Sequence, residues 1–371
     1  MTVRCDVLIQ GGGGAGCSAA MHLAQRGLRV VLLERGLVGS QASGVNYGGV
    51  RQQGRHVAEL PIAKRSREMW GRLASLIGTD AEFAVTGHLR LAHSAEEEAE
   101  LLAYLEVAQA HDLPLRMVGR NAIHREYPWL GESVVAGSFA PEDGAANPRL
   151  LAPAFAATAR RAGAEIRENA EVVAHEHDGA LFTLRTKAGE VFAAPVLVNT
   201  AGFWGGAVAA RFGEAVPVEP IAPNMVVTEP LPYFIEPNLG TVGGNLYLRQ
   251  IPRGNVVFGG GRGESDASVP WSRPLPEVTL ATVQRAIALV PSLAGAQVIR
   301  TWTGIDGRMP DGIPVIGPSR TTPGLFHAFG FSGAGFQLGP AIGAILAELV
   351  ADGRTDIPLE AFGVDRFGPA P

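Results

Sequence analysis

The stretch from residue 5 to residue 34 constrains the fold more than any other part of the chain. Cys5-Asp6-Val7-Leu8-Ile9 is a short β-prone run that ends in Gln10-Gly11-Gly12-Gly13-Gly14-Ala15-Gly16. Residues 17–26 are small or unbranched and predict a helix, closed by Gly27. A second strand follows at 29–33, with Glu34 at its end. Strand, G-x-G-x-x-G, helix, strand and acid within about 30 residues is the layout of a dinucleotide site. Gly11 makes the tight turn, Gly13 lets backbone reach a pyrophosphate, and Gly16 lets the helix pack on the strand. Gly14 and Ala15 open a helix whose free N–H groups and partial positive charge suit phosphates. Glu34 is placed to accept from the ribose hydroxyls, with Arg35 beside it.

The rest of the composition narrows the class. A chain of 371 residues suits two domains or one large α/β unit, and 46% apolar against 18% charged residues excludes a disordered chain. A net charge of −5 gives no support for nucleic acid or an anionic membrane as partner. Two cysteines, Cys5 and Cys17, make no disulfide framework and suit a reducing cytosol. The most apolar stretch, 335–350, carries Gln337, Pro340 and Glu348 and is too short to span a bilayer. With no targeting segment at the N-terminus, a cytoplasmic protein is expected. Glycine, 48 residues, is about twice its usual share and falls in clusters, which suggests close backbone approach to a ligand.

The fingerprint alone does not separate NAD from FAD. A loop of small residues directly after the ribose acid, residues 39–51, fits FAD, whose isoalloxazine needs backbone amides against its polar edge. That loop supplies Ser43, Gly44, Asn46, Tyr47, Gly48, Gly49 and Val50 as cofactor candidates. Here the sequence resembles the D-amino-acid oxidase-like superfamily of FAD oxidoreductases, which includes glycine oxidase, sarcosine oxidase and amino-acid dehydrogenases. Three further segments carry the resemblance: 196–204, with Ala201, Gly202 and Trp204; 304–317, with Gly304 and Arg308; and 330–340, with Gly333, Ala334, Gly335, Phe336 and Gln337. Val172 joins the cofactor candidates. Within the superfamily, residues 42–55 and 141–148 most resemble the FAD subunits of D-hydroxyproline dehydrogenases and opine oxidases.

The resemblance implies a Rossmann-like FAD-binding domain of glutathione-reductase type, beside a substrate domain of mostly antiparallel sheet plus helices. The FAD domain is expected at 1–80, 145–215 and 295–371, and the substrate domain at 81–144 and 216–294. Strands are predicted at 87–92, 225–228, 246–250 and 256–259, and helices at 95–111, 275–289 and 336–350. A substrate would then lie between flavin and sheet.

Amine oxidation by hydride transfer to flavin N5 asks side chains mainly to hold the substrate and exclude water. Arg51 follows the flavin loop, and its guanidinium suits a carboxylate; a structural ion pair is the alternative. Tyr247 and Arg249 share one face of a strand and line the pocket if that face looks at the flavin. Asp306 stands where many of the resembling oxidases carry a carboxylate-binding Arg. Arg51, Arg249 or Arg308 must then replace that role, or Asp306 reads a second polar group of the substrate, or it neutralises Arg308. His175 and His177 have a spacing compatible with a metal, but no further Cys or His clusters with them, so a surface strand is expected. His327 reads as structural, and Cys17 as a small hydrophobe under the glycine loop. Noncovalent FAD is expected, since 147–148 and 307–310 offer no Cys or His tether.

The expected activity is oxidation of the amine of a D-configured or secondary amino acid, D-hydroxyproline- or opine-like, to an imine. The alternatives are a glycine- or sarcosine-type oxidase that uses oxygen, or an electron-transferring subunit that needs partner dehydrogenase subunits.

Overall fold

The computed structural model describes residues 2–368. Its centre is a six-stranded sheet with Val7–Gln10 in the middle. Val30–Leu33 and then Glu165–Arg167 pair on one side, Val196–Asn199 and Leu325–Phe329 on the other, all parallel; Val315–Pro318 closes one edge antiparallel. Val7 to Ile9 and all of Val30–Leu33 are buried, as parallel strands covered on both faces require. Val7, Ile9, Val30 and Leu32 pack under the helices Gly14–Gln25, Pro148–Arg161 and Gly335–Asp352. Leu8, Val31 and Leu33 face Phe182, Leu184 and Phe192 of a smaller, four-stranded sheet.

The first and the C-terminal helices touch closely. A side chain at Gly343 would run into Ser18, whose hydroxyl donates to the Pro340 carbonyl at 2.9 Å, and Gly339 lies against Gly14 and Ala15. The two helix N-termini are thereby held side by side.

A second sheet has eight strands, in the order Val298–Trp302, Pro223–Pro230, Asn255–Arg262, Tyr247–Gln250, Asn238–Thr241, His88–Ala92, Ala136–Ala140, Arg116–Gly119. It is antiparallel except where Asn238–Thr241 runs parallel to His88–Ala92. One face buries Leu89, Leu91, Val226, Leu239, Leu248 and Phe258 together with Ala286 and Leu289 of the helix Pro276–Leu289. By the two-residue alternation of strands, the other face carries a single cross-strand row: Arg90, Gly240, Tyr247, Gly259, Met225, Trp302. This face looks toward the loop 43–50, because the Trp302 indole donates to the Val45 carbonyl at 2.7 Å.

Within the segment 295–371, expected wholly on the nucleotide side, Val298–Trp302 pairs instead with Pro223–Pro230. The open edge of that strand takes up the chain before it crosses back.

Candidate active site

Three short pieces of backbone build the floor of one large cavity of about 440 Å³. The first is the glycine turn. Gly11 has φ +110°, and a Cβ there would overlap the Thr200 carbonyl. A Cβ at Gly13 would come within 2.9 Å of the Ser43 hydroxyl. That hydroxyl already accepts from the Gly14 N–H at 2.9 Å, at the start of the first helix. Glu34 closes the turn on its other side, accepting from Gly12 N–H at 2.6 Å and from Gly36 N–H at 2.8 Å. The second piece is Thr200 to Trp204, following the strand Val196–Asn199, and the third is Gly333 to Phe336 at the start of the C-terminal helix.

The cavity runs from Glu34, Arg35 and Val172 past Gly13, Gly14 and Ala15 to Ser43, Asn46, Asp306, Gly333 and Gly335. A long ligand with an anionic middle fits this course, since both adjacent helix N-termini open onto it. The residues therefore suit FAD, whose ribose would lie toward Glu34 and whose pyrophosphate would lie over Gly13–Ala15. Ala201, Gly202, Trp204 and Phe336 also line it. Arg35 stacks over the Trp204 ring at 3.8 Å, and the Trp204 indole donates to the Ala267 carbonyl at 2.8 Å. The hairpin formed by Glu264–Asp266 and Trp271–Arg273 is thus strapped across the cavity rim.

Other cofactor candidates take different places. Gly16 lies beneath the turn, where a Cβ would strike the Gly11 carbonyl. Gly44 packs on Gly39, and Gly304 packs on Val45. Tyr47, Gly48, Gly49, Val50, Ala334 and Arg308 do not line the cavity. Gln337 lies outside the cavity lining. Its side chain is fully buried and donates to the Ala63 carbonyl at 2.9 Å, while its own backbone carbonyl accepts from the Trp70 indole at 3.0 Å. It locks the C-terminal helix to its neighbour and points away from the cavity.

The chain also places residues in the cavity that no local pattern singles out: Gln10, Phe203, Arg211, Ala267, Ser268 and Phe331. His175, expected on a surface strand, lines it too, and its Nε2 lies 2.6 Å from Gln10 Oε1. Burial first, and then Arg211, push its pKa down to about 4, so the imidazole is neutral. The one signal available in the sequence is an amide side chain immediately before the glycine turn. His327 is structural as expected, held 2.8 Å from Glu214 and 3.1 Å from Asn199.

Of the substrate candidates, Tyr247 and Arg249 stand on the second face of the eight-stranded sheet, whereas Asp306 is on a short separate strand and lines the cavity. The Tyr247 ring lies 5.1 Å from that of Tyr47, and Arg249 donates to the Tyr47 carbonyl at 2.8 Å and to the Ala146 carbonyl at 3.0 Å. Arg249 is held by carbonyls alone and forms no ion pair among the described residues; burial pushes its pKa down. Arg51 likewise donates to the Gln53 carbonyl and pairs with no carboxylate among the described residues. Asp306 accepts from Gly307 N–H at 2.8 Å and Gly333 N–H at 2.9 Å. Burial outweighs these two bonds and raises its pKa to about 6. Arg308 is exposed on the same strand and does not pair with Asp306. Tyr247 feels the Asp306 charge in addition to burial, and both push its phenol up.

Comparison with known proteins points to the same cofactor. A family model described as FAD dependent oxidoreductase matches residues 6–349. Glycine oxidase of Geobacillus kaustophilus (strain HTA426) is 30% identical, over 99% of this chain and 98% of that protein. An opine oxidase subunit of Rhizobium meliloti is 26% identical over 98% of this chain and 97% of its own length. The crystal structure of L-proline dehydrogenase from P. horikoshii superimposes with a TM-score of 0.91 at 28% identity, covering 99% of this chain and 98% of that one.

Proposed function

Because the chain belongs to the family of FAD-dependent oxidoreductases, we propose that it oxidises the amine of a D-configured or secondary amino acid, D-hydroxyproline- or opine-like, to an imine. Bound FAD supplies the two-electron acceptor for that reaction. One observation carries the reading: Arg249 follows Tyr247 by two residues on its strand, the Asp306 charge acts on the Tyr247 phenol, and neither Arg249 nor Asp306 has a charged partner among the described residues. An amino acid is the small molecule whose two charges match that arrangement.

In this reading the sheet face and the loop 43–50 hold the substrate against the flavin, and aromatic rings keep water out. Arg51 or Arg249 clamps the carboxylate, while Asp306 reads the amine or a second polar group. The likeness to an opine oxidase and to an L-proline dehydrogenase supports an amine carried by a substituted or cyclic nitrogen. The former also favours a second reading, in which this chain is the catalytic subunit of an assembly that passes electrons to partner subunits. On this reading FAD is held noncovalently; among the described residues, His175 is the one imidazole or thiol that lines the cavity. We assign residues 81–144 and 216–302 to substrate binding and the remainder to FAD binding. Two buried free cysteines suit a cytoplasmic protein.

Arg51→Met and Arg249→Met, made separately, test the clamp. Loss of one buried charge-assisted clamp costs roughly 2–4 kcal/mol, about thirty- to a thousand-fold in kcat/KM. If both variants retain FAD and near-native kcat/KM, neither arginine holds the carboxylate.

A further inference from the structure

We propose that Tyr47 is a substrate-binding residue whose phenolic hydroxyl completes an anion site with Arg51 and Arg249 for the substrate carboxylate. The proposal rests on the amino-acid reading above and adds a third donor to it.

The Tyr47 ring is tightly placed. Its Cε1 would stand 2.6 Å from a Cβ at Gly49, so only glycine leaves it room. Tyr247 packs against it at an interplanar angle of 60°, and the Arg249 guanidinium carbon lies 5.7 Å from its centroid. The hydroxyl of this fixed ring is buried and has no hydrogen-bond partner among the described residues. A buried donor without an acceptor is costly, and a bound ligand or water is one way to satisfy it.

The charges around the hydroxyl say which ligand. Arg249 and Arg51 both act on it, opposing the effect of burial, and each is free of carboxylate partners among the described residues. The carboxylate that acts on the hydroxyl, Asp143, is held by the backbone N–H groups of Gln52 and Gln53 at 2.8 and 3.1 Å. Tyr247 reverses this polarity. Its hydroxyl rests 3.4 Å from Met225 Sδ, over the space left by Gly259, and the charge it feels is the negative one of Asp306. An amino acid is therefore oriented one way, with its carboxylate at Tyr47 and its amine toward Asp306.

The test uses the FAD-loaded enzyme and pyrrole-2-carboxylate, a planar carboxylate that resembles proline but is not oxidised at an sp3 carbon. Its Kd is read from the perturbation of flavin absorbance in wild type and in Tyr47→Phe, and Tm is measured without ligand. Removing an unsatisfied hydroxyl predicts a Kd raised about tenfold and a ligand-free Tm no lower than wild type. A Kd within twofold of wild type overturns the assignment alone, as does a raised Kd accompanied by a lowered Tm. A wild-type flavin that responds to no carboxylate and is reduced by no amino acid contradicts the amino-acid reading, and Tyr47 falls with it.

Discussion

Asp306 illustrates what a single residue contributes here. Its pKa stands at about 6 in the fold, whereas an unfolded Asp ionises near ~3.9. Between those values the flavin-free folded protein keeps a proton that the unfolded chain has lost. The group's contribution to stability therefore declines as pH rises from about 4 to about 6. Asp143, also raised to about 6 by burial, does the same, but in wild type and variant alike. The Tm difference between Asp306→Asn and wild type should consequently move in the variant's favour from pH 4 to pH 7. A difference independent of pH contradicts a buried, titrating Asp306. At this scale the sequence is least legible. Arg249 is readable as a strand residue sharing a face with Tyr247, but its contacts with Tyr47 and Ala146 join positions about 100 and 200 apart, and no spacing rule connects them. Gln337 is similar: a motif singles it out, but its side-chain bond to the Ala63 carbonyl joins positions far apart in the chain.

Among elements, the strand–glycine–helix–strand unit is fully legible, because turn, helix and acid are local to one another. Gly13→Val should leave a folded, colourless protein, since its side chain would fill the space beside Ser43 over which the pyrophosphate is expected; a yellow variant contradicts this course for FAD. The long strands of the second sheet are legible from their apolar alternation. Ala136–Ala140, Asn238–Thr241 and the edge strand Val298–Trp302 are not, because the first two are rich in small or polar residues and the third exposes Val298 and Ile299. The C-terminal helix offers a cleaner test. Gly333 has φ +85° and open space where a Cβ would stand, so Asn and Asp fit there with the same backbone strain. Gly333→Asp puts a negative charge where the helix N-terminus favours an anion, and should lower the flavin reduction potential by on the order of 10–20 mV relative to Gly333→Asn. Equal potentials in the two variants would place the flavin ring elsewhere.

For the whole molecule, the packing of the first helix against the C-terminal helix would set where FAD lies, and the eight-stranded sheet would set what is presented to it. Rapid peroxide formation by the isolated chain would support an oxidase, whereas turnover only with artificial dyes would support a subunit that hands electrons to partners. The central claim is nearer to hand than that choice. The purified, FAD-loaded protein is mixed anaerobically with D-amino acids, their L-enantiomers, N-substituted glycines, hydroxyprolines and opines, and flavin absorbance is followed. The account predicts that at least one D-configured or secondary amino acid bleaches the flavin, and that the ester of the same compound does so far more slowly. A flavin that stays oxidised with every amino acid of the panel, while chemical reductants still bleach it, contradicts the account.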